Sequence, residues 1–222
     1  MKQFLPFVLV GAVGLLALGS GTALYFARRP AVLTSAGENL KRGDEAIESA
    51  RSQGPADAHV TLEEFGDFQC PPCAALSDPI NEIAKNHAGK LRVIFRHFPL
   101  PNHVHAREAA CAAEAAALQG RFWPMHDLLY REQANWSKAE DVRSLFNAYA
   151  GMLGLRLEQF SRDLESEKVK ARVEADHQRG ATIGVTTTPT VFVNGRAVPP
   201  SSVNPAHIRQ VIEAAVNGTP AL

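Results

Sequence analysis

Hydrophobic and polar positions follow several different periods along this chain, and the changes of period divide it. From Gln3 to Ala27, 25 residues rich in Leu, Val, Ala and Gly carry no charge, whereas crossing a bilayer takes about 20. A cleaved signal peptide is the alternative, with Lys2 ahead of the apolar run and a small-residue site near Gly21 to Ala23. The run continues through Leu24, Tyr25 and Phe26, which favours a retained anchor over residues 1–29. Ala31 to Gly54 is polar, with only Leu40 and Ile47 in a weak helical stripe. Residues 30–56 therefore read as a linker, and residues 57–222 as the folded domain.

Within that domain, Val60 to Gly66 reads as a strand and Pro71 to about His87 as a helix. Leu91 to Phe95 has the near-continuous apolar run of a buried parallel strand. Beyond Pro99 the period becomes helical for about eighty residues. His105 to Leu118 is dense in alanine and stops at Gly120, and Pro124 opens the next helix. Ser137 and Glu140 form a capping-box pattern ahead of Val142, Leu145, Phe146 and Tyr149. A last helical segment runs from Glu167 to about Arg179. Thr190 to Val193 then pairs with Arg196 to Val198 across an Asn194-Gly195 turn. A closing helix is capped by Asn204, opened by Pro205 and stopped at Gly218. The layout is α/β, with a helical stretch of about residues 103–183 between two groups of strands.

Charge narrows the function. Lys and Arg total 23, as do Asp and Glu, so net charge is zero. A nucleic-acid partner would call for a basic excess to meet its phosphates, and none is expected. Three cysteines are too few for a disulfide scaffold.

Two of those cysteines carry the candidate chemistry. Cys70-Pro71-Pro72-Cys73 stands where the first strand gives way to a helix, and Cys-x-x-Cys at such a junction is a redox pattern. The free N–H groups of a helix N-terminus favour a thiolate. Cys70, nearer the terminus, is the expected attacking sulfur, partly exposed and with a lowered pKa. Cys73, one turn deeper, is the expected resolving one. A zinc half-site is the alternative, but zinc usually takes four protein ligands and the sequence has no second Cys-x-x-Cys. No metal and no cofactor are expected, since the sulfurs themselves carry the electrons. Far down the chain, TTTPTVFVN at Thr186 to Asn194 places a proline at the mouth of a strand. That pattern predicts a cis Thr188–Pro189 bond beside the sulfurs, with Thr188 and Pro189 meeting a bound peptide.

The approach GPADAHVTLEEFGDFQCPPC, the segments FRHFPLPNHVHA and QGRFWPMHDLLY, and TTPTVFVNG occur here in that order. Together they resemble the DsbA-like branch of the thioredoxin superfamily, over residues 54 to 216. The resemblance implies a thioredoxin fold with an inserted helical domain, and thiol:disulfide exchange with cysteine-containing proteins of the bacterial envelope. It also implies a membrane redox partner. The site would face the periplasm or cell exterior from a single-pass anchor in the inner or cytoplasmic membrane. In family members an acid at the position of Glu64 assists proton transfer at the buried thiol. Glu64 alternates in register with Val60 and Leu62 and would be buried if those face the core. Pro71-Pro72 matches neither the Gly-Pro of thioredoxins nor the Pro-His of the best-known DsbA oxidases. An oxidase direction is favoured, with a reductase or isomerase of the same fold as the alternative.

Other residues invite other chemistry. Cys111 among alanines reads as a small buried helix residue. His97, His103 and His105 could, together with thiolates, hold copper or zinc, and a copper-binding envelope protein using the cysteine pair with a nearby histidine is a rival. A redox-silent module holding unfolded clients beside Pro189 is a further rival. The aromatics of GRFWPMHDLLY fit either core filling or a substrate groove.

Overall fold

The computed structural model describes residues 51–219. The expected anchor over residues 3–27 and most of the expected linker lie outside them. Among the described residues no helix is long and apolar enough to cross a membrane.

Among the described residues five strands form one sheet in the order β1-β3-β2-β4-β5. They are β1 (Ser52–Gln53), β2 (Val60–Gly66), β3 (Leu91–His97), β4 (Thr190–Val193) and β5 (Arg196–Ala197). Helix α1 (Pro71–Asn86) joins β2 to β3, which run parallel with Leu62 opposite Val93 and Glu64 opposite Phe95. β4 runs antiparallel to β2 and sets Val191 opposite Glu64. Paired residues share a face, so Val60, Leu62, Leu91, Val93, Val191 and Val193 form one apolar surface. It is covered by Leu76, Ile80 and Ile83 of α1 and by Ile208, Val211 and Ile212 of the closing helix Pro205–Val216. Glu64 lies on this same face.

Six helices stand between β3 and β4: α2 (Ala106–Ala117), α3 (Phe122–Arg131), α4 (Gln133–Trp136), α5 (Val142–Met152), α6 (Leu157–Glu165) and α7 (Glu167–Thr182). The closing helix is then α8. This is a thioredoxin-like α/β fold with a helical insertion. The alanine density of α2 has a packing cause. It touches α3, α5, α6 and α7, and all its alanines but Ala117 are buried. Small side chains let several helices approach one axis closely. α7 packs on the opposite face of the sheet, where a Cβ on Gly180 would meet Phe98 Cδ2 at 2.7 Å and Phe65 Cδ1 at 3.0 Å.

Two expectations are corrected. The folded part begins before Asp57, because Ser52 and Gln53 pair with Ile94 and Val93. Arg51, in what read as a polar linker, is fully buried and ion-paired to Glu114 of α2 and Asp176 of α7. The cap of α5 is Asp141, whose carboxylate accepts from the Ser144 N–H at 3.1 Å. Ser137 lies further back, where its carbonyl accepts from Gln69 Nε2 at 3.0 Å.

Candidate active site

The redox turn is held from three sides. Cys70 occupies the N-cap position of α1 in extended conformation, with Pro71 and Pro72 opening the helix. Ahead of it, the Asp67 carboxylate accepts from the Gln69 N–H at 2.7 Å and the Leu100 N–H at 2.8 Å. It also lies 2.7 Å from His103 Nδ1. From the insertion, the Gln133 side-chain amide donates to the Phe68 carbonyl at 2.6 Å and to the Cys70 carbonyl at 3.0 Å. Across the sheet, the Cys70 sulfur lies 3.4 Å from the Thr188 carbonyl, beside a cis Thr188–Pro189 bond. The arrangement fixes one sulfur at the end of a helix, against an extended backbone.

Cys70 and Cys73 are free thiols in different surroundings. Cys70 is pushed down to about 6, first because the Cys73 thiol hydrogen-bonds to its sulfur, against the opposing effect of burial. Thr188 and the Cys73 backbone N–H lower it further. The helix terminus therefore acts through that N–H, but the neighbouring thiol acts more strongly. The Thr188 hydroxyl is buried without a partner of its own, so it is free to turn toward a thiolate. Cys73 is pushed well up, chiefly by burial, then by its bond to Cys70 and by the charges of Glu64 and Cys70. One sulfur ionises near neutrality and the other keeps its proton.

Cys70 is only 4% exposed, which corrects the expectation of a partly open thiol. The strand-mouth loop at Thr188 covers it, a contact across 118 positions of sequence. Glu64 is 3% exposed, and burial, then the Cys70 charge, raises its carboxyl to about 8. It reaches Cys73 electrostatically, as the alternation along β2 implies.

The structure thus brings Cys70, Cys73, Glu64, Thr188 and Pro189 to one end of the sheet. Asp67, Gln69 and Gln133 escaped the sequence reading, and His103, read there as a candidate metal ligand, instead meets the Asp67 carboxylate. An Asp three positions before the first cysteine was the one local signal for them, because such a carboxylate readily binds backbone two residues on. Cys111 is 5% exposed in α2, and burial raises its thiol to about 11.

The buried acids elsewhere are already matched. His97, Glu114 and Asp176 present ligand atoms close enough to hold a metal ion. However, the Arg51 guanidinium pairs with both carboxylates, and Arg172 Nη2 lies 2.7 Å from Asp176. Fixed guanidinium charges fill the cation's role there. Phe122, Met125, Leu128 and Leu129 of the aromatic segment are core residues.

The sequence model of the family described as Thioredoxin matches residues 47–214. The chain belongs to the thioredoxin superfamily. Within that superfamily it is DsbA-like. This thioredoxin-family chain is similar in structure to BdbD from Bacillus subtilis, at 26% identity and a TM-score of 0.67, covering 76% of this chain and 93% of that one. It shares the fold of Wolbachia pipientis alpha-DsbA1, at 18% identity and a TM-score of 0.64, covering 76% and 91%. In sequence it is 40% identical over 147 residues to a Na(+)/H(+) antiporter NhaA 1 of Mycolicibacterium gilvum. That match takes in 65% of this chain and 23% of the antiporter. This thioredoxin-family chain therefore spans about a quarter of the length of the curated relatives it matches.

Proposed function

We propose that this protein is a thiol:disulfide oxidoreductase that oxidises cysteines of envelope proteins through Cys70 and Cys73. The observation that carries the reading is the contrast between the two sulfurs. Cys70 is held as an easily formed thiolate against Thr188–Pro189, while Cys73 is buried beside Glu64 with its proton retained. In the disulfide form, a substrate thiolate attacks the Cys70 sulfur and the bond to Cys73 breaks. The electron pair leaves on Cys73, which takes a proton from the Glu64 carboxyl. A second substrate thiolate then attacks the substrate sulfur of the mixed disulfide and expels Cys70 as a thiolate. The substrate gains a disulfide and the enzyme holds the two electrons.

A low Cys70 pKa supports this direction, because a stabilised thiolate is a good leaving group and stabilises the reduced form. A membrane redox partner then takes the two electrons back. Residues 3–27 are the proposed anchor, with residues 30–50 as tether and the site outside the cytoplasm. The antiporter name stays with the relatives that carry it. Equilibration against glutathione tests the proposal. The disulfide is expected to be more oxidising than glutathione's, and a potential far below that of glutathione would favour a reductase.

A further inference from the structure

Behind the two sulfurs, three buried polar atoms have no hydrogen-bond partner among the described residues: Glu64 Oε1, the Tyr130 hydroxyl and His126 Nε2. Their residues are 3%, 5% and 3% exposed. Leaving a buried polar atom unpaired is unfavourable, so three in one region require a reason.

Their placement forms a series. Glu64 and Gly66 are two apart on β2 and share a face. The Tyr130 hydroxyl stands over Gly66, where a Cβ would lie 2.9 Å from it. Tyr130 and His126 are one turn apart on α3, with ring centroids 4.9 Å apart. His126 Nδ1 lies 2.9 Å from Asp127 Oδ1, and the Asp127 side chain is 44% exposed. Phe68, Phe95 and Phe122 surround the imidazole at 5.6, 4.8 and 6.0 Å and shield it from bulk solvent. The charged groups that reach Tyr130 are Cys73, Glu64, Asp67 and Cys70, and those that reach His126 are Asp127 and His97.

We propose that Tyr130 and His126, with internal water in the gaps, form a proton route from the Glu64–Cys73 pair to solvent at Asp127. The proposal rests on the redox reading above. The unpaired atoms are chemically complementary. With Nδ1–H donating to Asp127, Nε2 is an acceptor, while the hydroxyl both donates and accepts and the carboxyl carries a proton. When Cys73 attacks a mixed disulfide at Cys70, its thiol proton passes to Glu64. As one carboxyl oxygen takes that proton the other releases the proton it held, through a bridging water, to the Tyr130 oxygen, whose own proton moves on through a second water to His126 Nε2. The Nδ1 proton leaves to Asp127 and then to water. One proton enters at Cys73 and one leaves at the surface, and the imidazole resets by tautomer exchange. Tyr130 and His126 are positioning residues here, because they act through Glu64.

The test uses the reduced protein and dithiobis(nitrobenzoate), with release of the coloured thiol followed by stopped flow. A first phase reports attack by Cys70, and a second reports Cys73 resolving the mixed disulfide. Tyr130→Phe keeps the ring and is expected to slow the second phase relative to the first about tenfold, below the full effect of a positioned acid–base group. The second-phase pH profile should shift, and its rate ratio between light and heavy water should change. Asp127→Asn, at a half-exposed position, should give a smaller change of the same kind. An unaltered second phase and pH profile in both variants would overturn the route while leaving the redox pair standing. Absence of a second phase in the unmodified protein would instead overturn the redox reading, and the route with it.

Discussion

Replacing Glu64 by Gln should stabilise the reduced protein, and the gain should grow with pH. The carboxyl titrates at 4.5 in an ordinary setting and at about 8 here. A group whose acid form is favoured by folding holds its proton in the native state after the unfolded chain has lost it. Native protein then binds more protons than unfolded protein, so stability falls with rising pH. Below 4.5 both states are protonated and the carboxyl contributes nothing. Between 4.5 and about 8 the loss accumulates at 1.36 kcal/mol per pH unit, reaching about 5 kcal/mol as an upper bound. Gln has nearly the same shape and cannot ionise. Cys70 has the opposite slope, since its lowered pKa adds stability as pH rises through the native value. That contribution is present in both proteins and largely drops out of their difference. Urea unfolding of the two reduced proteins at intervals from pH 4.5 to 9 measures it. The curves should coincide at the acid end and diverge above it. A difference that stays flat across this range would refute the burial argument for Glu64.

Three further outcomes follow from named contacts. Gln133→Leu removes both side-chain bonds to the redox turn and should cost about 1–3 kcal/mol in urea unfolding, since it leaves two carbonyls without that donor. Cys111 should react negligibly with a thiol reagent in the native, oxidised protein, because its thiol is buried and raised to about 11; rapid labelling would show the helix packing to be wrong. Gly180→Ala drives a methyl group into the Phe98 and Phe65 rings and should cost about 1–3 kcal/mol. A thermal midpoint unchanged by that substitution would mean α7 sits further from the sheet.

The sulfurs, the strand before them and the proline loop were legible because each carries a local signal. Cys-x-x-Cys marks the junction, β2 and β3 are apolar runs, and Thr-Pro at a strand mouth has few other uses. Arg51 was misread because a buried charge and a solvated one look alike in sequence. Its two carboxylate partners stand 63 and 125 positions away, on separate helices. The cap of α5 went to Asp141 because Asp141 directly precedes the first helical residue, a choice composition cannot make between two good capping types. Gln133 has no periodic signature, so its hold on the Cys70 carbonyl had to be seen. The cover over Cys70 is likewise long-range, and the sequence pattern placed the sulfur at a helix end without showing what lies above it.

The structure also determines how the central claim must be tested. Cys73 is the largest cause of the lowered Cys70 pKa, so a Cys73→Ala variant does not report the native Cys70 titration. The intact reduced protein serves better, because Cys73 is pushed well up and Cys111 to about 11, outside the window of interest. Thiolate absorbance in the ultraviolet, with the oxidised protein as baseline, then follows Cys70 alone from acid to pH 8. A single step is expected at about 6, moving upward in Cys73→Ala. A midpoint at or above about 8.5, the value of an unperturbed cysteine, would contradict the activated thiolate and the oxidase direction built on it.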